Sequence, residues 1–483
     1  MTDPNYSKGV EAYINKGQAM VEAMAQHRAA MQQKKFDTIA VHGLYGMAAA
    51  RANQGSIIEP AYLSSAQHFE NSDHMEAALA YLMPSWTYSR IANPTLGYLE
   101  ETVALLEGYG FDGRVSACAT ASGMAAVFMA TNPFLAQKTG QTGNGNGRKP
   151  GSPINIVASA KCYGGTFMLF SQRYGLERGV EIRWVRDPLD LDEWAGKIDG
   201  NTRFVYGEMP SNPSLGVFDI SALAELAHSH NLPLIIDSTV ATPALMRPLC
   251  HGADIVVHSL SKAMASSGFA IAGAVIARHN IPSRVGPAEM RENFATYVKL
   301  LPFRDHGPGL SPFSALMILN DLRTLRSKVE IMSNNALHVA QFLQQHPHVE
   351  SVGYPGLPDT PEHDTARKYM WLVDSEDDHG SPVNSFGHLL SFNVSGGAAA
   401  ARTVMDHLQM IWRATDLGRA KTVATIPAIS THQQQGEEGR DLADVPPNLI
   451  RLSTGTEHIT DIIQDLEQAL QSVSERPVVL VQN

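Results

Sequence analysis

Lys262 follows the apolar run DIVVHSLS and precedes only small residues, in AMASSG. An amine at the end of a buried strand costs free energy unless it is neutralised, paired or used covalently. Ser259 and Ser261 place hydroxyls beside it. In LPLIIDST, Asp237 closes the preceding apolar run, and open α/β sheets bind their ligands at the carboxyl ends of strands. An amine and a carboxylate from neighbouring strand ends match the needs of pyridoxal phosphate, whose aldehyde condenses with a lysine and whose ring nitrogen takes an anionic partner. A carboxylate there keeps the nitrogen protonated and so sets how well the ring accepts electrons from a bond broken at a substrate Cα. Taken singly, Lys262 reads equally as a surface lysine whose stem packs on protein, and Asp237 as a turn cap.

A phosphate and a flat ring need partners of their own. CATASGMAAVF places Ser122, Gly123 and Met124 at a predicted helix start, where free N–H groups and the helix dipole favour an anion. CYGGTF sets Tyr163 beside glycines, an aromatic suited to stacking on a ring, although such a tyrosine is by default a turn or core residue.

These residues need a scaffold, and the sequence describes one. Residues 8 to 35 have helical composition, and FDTIAVHGLYG then reads as a short extended segment with glycines. From about residue 98, helical stretches such as GYLEETVALLEG alternate with short apolar strands: PINIVAS, RFVYGEM, LPLIIDS and DIVVHS. That alternation predicts an α/β layer with a largely parallel sheet. After about 300, SPFSALMILNDLRTLRSKVEIMSNNALHVAQFLQQHP predicts one long helix or two. The strands HLLSFNVSG and LIRLSTG follow, and the chain closes on the helix ITDIIQDLEQALQSV. The expected organisation is an N-terminal arm (1–87), a large domain (88–300) and a smaller C-terminal α+β domain (301–483). The stretch KTGQTGNGNGRKPGS, Lys138 to Ser152, resembles a phosphate loop only superficially. Gly147 is followed by Arg148, Lys149 and Pro150 and then by a predicted strand, whereas a Walker loop needs Gly-Lys-Ser/Thr opening a helix, so a surface loop is expected.

Composition narrows the function classes. The 483 residues carry a net charge of −11 with no long run of one sign, which argues against nucleic acid or an anionic membrane as the main partner. The three cysteines, Cys118, Cys162 and Cys250, have no C-x-x-C spacing, so neither a disulfide framework nor a zinc site is expected, and a reducing cytoplasm fits. The N-terminus lacks a basic segment followed by an apolar one, and no apolar run reaches spanning length.

The segments YSRIANPTLGYLEETVALLEG, SGMAA, YGGT, EMPSNP, DIVVHSLSK, LSPFSA, YPGL and RLSTGTEHITDIIQDLEQAL stand in an order and spacing that resemble the cysteine/methionine-metabolism pyridoxal phosphate enzymes. That family includes cystathionine γ-synthases, cystathionine lyases, methionine γ-lyases and O-acetylhomoserine sulfhydrylases, and the resemblance covers about residues 37 to 473. It implies the aspartate-aminotransferase-like fold (fold type I), a mostly parallel central sheet flanked by helices with a smaller C-terminal domain. It implies Lys262 as the lysine joined to the cofactor, Asp237 as the ring-nitrogen partner and Tyr163 as the stacking ring. Ser122, Gly123, Met124, Ser259 and Ser261 would hold the phosphate, with Tyr88 and Arg90 reaching it from a neighbouring subunit, which makes at least a homodimer necessary and a tetramer built from dimers usual. Arg451 in LIRLSTG would fork onto the substrate α-carboxylate, a bidentate task suited to arginine. Asn212 would sit near the ring oxygen and that arginine, and Thr422 would line the carboxylate site.

The resemblance also bears on the reaction. LGRAKT, PAISTHQQ and GTEHITDII look most like the O-acetylhomoserine sulfhydrylases. Cystathionine γ-synthases usually carry glutamate where Lys421 stands, and methionine γ-lyases usually carry cysteine where Gly165 stands. γ-Replacement on an amino-acid ester by a small thiol is the implied activity, with a γ-lyase or a non-sulfur nucleophile as alternatives. The sequence departs from the family pattern at Ser238, at Ser261 and in the loop KAMASSGFAIAG after the lysine.

Overall fold

The computed structural model describes residues 6–136 and 153–473; the glycine-rich Lys138–Ser152 stretch lies outside them. Seven strands form the large sheet: Val115–Thr120 (β1), Asn155–Ser159 (β2), Glu181–Val185 (β3), Thr202–Glu208 (β4), Leu234–Asp237 (β5), Ile255–His258 (β6) and Gly273–Arg278 (β7). Their order is β1-β7-β6-β5-β4-β2-β3. Every pairing is parallel except those of β7, which runs antiparallel to both β1 and β6. Strands β2, β5 and β6 are buried at every position, so they read as unbroken apolar runs, as strands covered by helices on both faces do.

The remaining strands are Val349–Gly353 (β8), Trp371–Glu376 (β9), Pro382–Asn384 (β10), Leu389–Val394 (β11), Trp412–Arg413 (β12), Val423–Thr425 (β13) and Leu449–Ser453 (β14). Five of them make the second sheet, in the order β12-β13-β14-β11-β8, and β9 pairs with β10 alone. The long helical stretch after residue 310 is two helices, Pro312–Leu322 and Leu325–Gln344. Pro312–Leu322 packs on the large-domain helix Pro94–Glu107, and Leu325–Gln344 packs on β8, β11 and the last helix, Ile459–Gln471. The packing of the small sheet therefore starts at Leu325, later in the chain than the expected division at 300/301, which falls inside the helical turn Lys299–Phe303.

One expectation is corrected here. FDTIAVH is not extended: Phe36–His42 is a helix. Phe36, Ile39 and Ala40 are its buried residues, a helical spacing, and they join the large core with helix Pro94–Glu107. Burying Phe36 and Ile39 is worth about 1.5–3 kcal/mol each, which outweighs the modest helix propensity of Thr38 and Val41. Gly43 ends the helix at a φ of +49°, where a Cβ would lie 2.1 Å from Thr102 Oγ1. The glycines that read as extended chain are a helix stop at a close contact.

Two helix starts shape the large domain. Asn93 accepts a hydrogen bond from Thr95 N (2.9 Å) ahead of Pro94, and Ser122 accepts one from Ala125 N (3.1 Å) ahead of Gly123–Thr131. Both are N-caps of the expected kind. Among the described residues no helix is long and apolar enough to cross a membrane.

Candidate active site

The carboxyl ends of β4, β5 and β6 and the turn after β1 open onto one cavity of about 440 Å³, within the usual range for cofactor sites. Its walls include Ser122, Gly123, Met124, Tyr163, Asn212, Asp237, Ser259, Ser261, Lys262 and Arg451, so ten of the expected site residues meet there. Three do not. Tyr88 and Arg90 lie outside it on the surface, where the guanidinium stacks 5.5 Å from the tyrosine ring centre and donates to Arg304 O.

Thr422, expected at the substrate carboxylate, is the third. It is fully buried away from the cavity, donating to Glu457 Oε2 (2.8 Å) and accepting from Gly455 N (2.9 Å). The hydroxyl's single proton goes to Glu457, so in this arrangement it has none to donate to a substrate carboxylate.

At one end of the cavity, Ser122 and Gly123 open helix Gly123–Thr131 against Ser259. A Cβ on Gly123 would stand 2.6 Å from that of Ser259, so glycine is what lets the helix start approach the hydroxyl. Ser261 Oγ is tied down by Ala272 O and N at 3.0 and 2.9 Å. Free N–H groups at the start of a nine-residue helix, facing a serine, form a seat for an anion.

At the other end Asp237 is buried, and its Oδ1 accepts from Thr239 N (3.0 Å) and Thr239 Oγ1 (2.6 Å). Glu208 is its register partner on β4. Glu208 accepts Tyr163 N at 2.7 Å and Asn212 N at 2.8 Å, so it holds in place the two loops that present the tyrosine and the asparagine. Burial pushes both carboxyls up, and Glu208 further because the Asp237 carboxylate lies beside it. Two buried carboxyls this close titrate as a pair, each raising the other's cost of ionisation.

Arg451 on β14 is fully buried, with Nη1 donating to Asn212 Oδ1 (3.0 Å) and Nη2 to Thr415 O (3.1 Å) and Asp416 O (2.7 Å). Its Nε lacks a protein partner. Burial pushes the guanidinium down to about 10, so it stays charged at neutral pH. A buried charged fork with an unsatisfied N–H is built for an anionic guest.

Lys262 Nζ lies 2.7 Å from Asp416 Oδ1. Burial is the main cause that pulls the amine below the usual lysine range, with Asp416 opposing it.

Glu208, Thr239 and Asp416 had no part in the expected set, nor had Arg419, which lines the cavity and donates through Nε to Asp416 Oδ2. Glu208 had a signal, a charge closing the apolar strand RFVYGEM just as Asp237 closes LPLIIDS. Asp416 and Arg419 sit in an irregular loop between two short strands, and nothing in their spacing announces a meeting with Lys262.

A family model described as Cys/Met metabolism PLP-dependent enzyme matches residues 37–471. The chain belongs to that family and is a pyridoxal phosphate-dependent enzyme of fold type I, as expected. It is 34% identical over 465 residues to an O-acetyl-L-homoserine sulfhydrylase of Leptospira meyeri, covering 91% of this chain and 97% of the relative. It is 33% identical to an L-methionine gamma-lyase of Fusobacterium nucleatum subsp. polymorphum, covering 92% and 100%. Among solved structures, one assigned as an O-acetylhomoserine (thiol)-lyase of Campylobacter jejuni, carrying a pyridoxyl-lysine monophosphate, superposes with a TM-score of 0.78. It is 33% identical and the match covers 91% of this chain and 100% of that one. Sulfhydrylases and lyases thus stand equally near.

The cavity fits the family's cofactor. It has an anion seat at one end, a buried carboxylate at the other, an amine between, and a guanidinium with a spare N–H beside them.

Proposed function

We propose that the protein replaces the γ-acetoxy group of O-acetyl-L-homoserine with sulfide or a small thiol, giving homocysteine or methionine and acetate. The observation that carries this choice over a lyase is the packing at Gly165. A Cβ there would lie 2.5 Å from the Tyr163 ring and 3.1 Å from Met124 Sδ, so the ring fills the space where methionine γ-lyases usually carry a cysteine. The substitution of Lys421 for the synthases' glutamate supports the choice less directly, since Lys421 lies outside the cavity over the Trp412 ring at 4.6 Å.

In this reading the helix start at Ser122–Met124, with Ser259 and Ser261, binds the cofactor phosphate, and Tyr163 stacks on the ring. Asp237, held by Thr239 N and Oγ1, partners the protonated ring nitrogen. The bound cofactor supplies an electron sink for charge developing at the substrate Cα. Arg451 and Asn212 take the substrate α-carboxylate. Lys262 acts as a mobile acid and base: it takes the Cα proton, gives it up to the bound cofactor so that the amine is free again, and then takes one from Cβ as acetate departs from Cγ. A thiolate adds at Cγ, and the two protons return to Cβ and Cα. No cysteine of the chain takes part. Cys162 is buried, with its thiol pushed well up by burial. Tyr88 and Arg90, exposed in the single chain, complete the phosphate site of a neighbouring copy; a fully active monomer in sedimentation would remove that role.

Product analysis tests the reaction. With O-acetyl-L-homoserine and sulfide, mass spectrometry should find homocysteine and acetate; without a thiol it should find little 2-oxobutyrate. Acetyl, succinyl and phospho esters, each with sulfide, methanethiol and cysteine, identify the preferred pair. Rapid 2-oxobutyrate and ammonia release whatever the acceptor would replace this reading with a γ-lyase.

A further inference from the structure

The loop Thr415–Arg419 of the small domain is fastened to the residues around Lys262 along its whole length. Arg451 holds the carbonyls of Thr415 and Asp416 from below. Gly418 adopts a φ of +68°, and a Cβ on it would come within 2.5 Å of Ala263 N, so the loop backbone lies directly on the lysine's own segment. Gly418 N donates to Ser453 Oγ (2.8 Å), Arg419 Nη1 to Ala265 O (2.7 Å) and Ala420 N to Ser266 O (3.0 Å). Fixed in this way, the Asp416 carboxylate points its two oxygens at two cations. Oδ1 accepts from Lys262 Nζ at 2.7 Å and Oδ2 from Arg419 Nε at 2.5 Å.

We propose that Asp416, clamped by Arg419, is a positioning residue that docks the Lys262 amine whenever that amine is not joined to the cofactor. Arg419 weakens the carboxylate's hold so that the docked amine can still give up its proton. The inference rests on the reading of Lys262 as the cofactor lysine, and is independent of which reaction follows.

The charge arithmetic gives the arrangement its purpose. A lone carboxylate 2.7 Å from a half-buried amine would fix it as an ammonium, useless as a base. With no carboxylate, a four-carbon stem would leave the amine free among several rotamers, and proton transfer needs it in place. A carboxylate half claimed by a guanidinium offers a strong hydrogen bond with a reduced countercharge. The other groups near the amine act with Arg419: Arg451 from β14 disfavours the ammonium, and His388, just ahead of β11, is kept neutral by burial, its value pushed down to about 4. Asp237 and Tyr163 line the same cavity and are common to every variant compared below.

The two members of the pair must then move the amine in opposite directions. The readout is capture of pyridoxal phosphate by the full-length chain stripped of cofactor, followed by absorbance across pH without substrate. Capture needs the neutral amine, so its pH midpoint reports Lys262. Asp416→Asn should lower the midpoint by about one pH unit, because an opposite charge is lost. Arg419→Gln should raise it by a similar amount, because the carboxylate is left whole. Asp416→Glu should restore the wild-type direction relative to Asn. Midpoints that stay at the wild-type value, or that shift the same way in both variants, would overturn the proposal. If one variant does not fold, the sign of the other decides alone. A failure of γ-replacement would leave these midpoints untouched, so the two readings fail separately.

Discussion

The large-domain end of the cavity and its small-domain end are made from different kinds of chain. At the large-domain end, proposed to take the cofactor, Asp237, Ser259 and Lys262 each stand within a few residues of the end of a buried parallel strand, and Ser122 stands two residues past β1. At the small-domain end, proposed to take the substrate, Arg451 comes from an antiparallel strand of the small sheet, and Asp416 and Arg419 from a loop between two short strands. A strand end is a rigid place set by the sheet, so chemistry placed there tolerates little change. A loop of the second domain can alter its residues without disturbing that sheet. The similar identity to sulfhydrylases and lyases fits this division, a shared cofactor end with a reaction decided elsewhere.

Three substitutions test the division, in order of expected effect. Asp237→Ala should keep bound cofactor, since the phosphate seat is intact, yet lower turnover about 100- to 1000-fold. The loss should be equal for every ester and acceptor; a loss confined to one substrate would break the separation of the two ends. Arg451→Lys should leave the cofactor spectrum unchanged and raise KM about tenfold, because an ammonium cannot reproduce the fork. A fall in cofactor content instead would join the arginine to the other end. Thr422→Val should leave kcat and KM as they are and lower the urea midpoint by an amount worth about 1–3 kcal/mol, the cost of leaving Gly455 N and Glu457 Oε2 without the Thr422 hydroxyl while the backbone bond to Oε1 stays. A changed KM with unchanged stability would return Thr422 to the substrate site.

The same contrast explains what could be read from the sequence. Lys262 and Asp237 were legible because a charge closing an apolar run stands out. Glu208 carried the same mark. Arg451 was reached through family resemblance, since an arginine in a short strand is otherwise an ordinary surface residue. Thr422 stands among residues that match a substrate-site motif while its hydroxyl turns inward to Glu457, an orientation that depends on how β13 pairs with β14. The Asp416–Lys262 contact joins residues 154 positions apart on two domains, and no local pattern encodes such a meeting. Helix Phe36–His42 was missed because seven residues are too few to separate a helical from an extended reading when glycines follow.

The antiparallel strand β7 has a consequence for how the chain is made. Among the described residues it is the only neighbour of β1 in the large sheet, and Gly273 at its start lies against the turn that opens the anion seat, where a Cβ would stand 2.3 Å from Ser122 O. On a ribosome, β1 emerges early and waits as an unpaired edge while β2 to β6 are synthesised, a long-range pairing of the kind that forms slowly. A nascent chain that ends between Lys262 and Gly273 therefore has its lysine and its aspartate but no strand against the turn at Ser122.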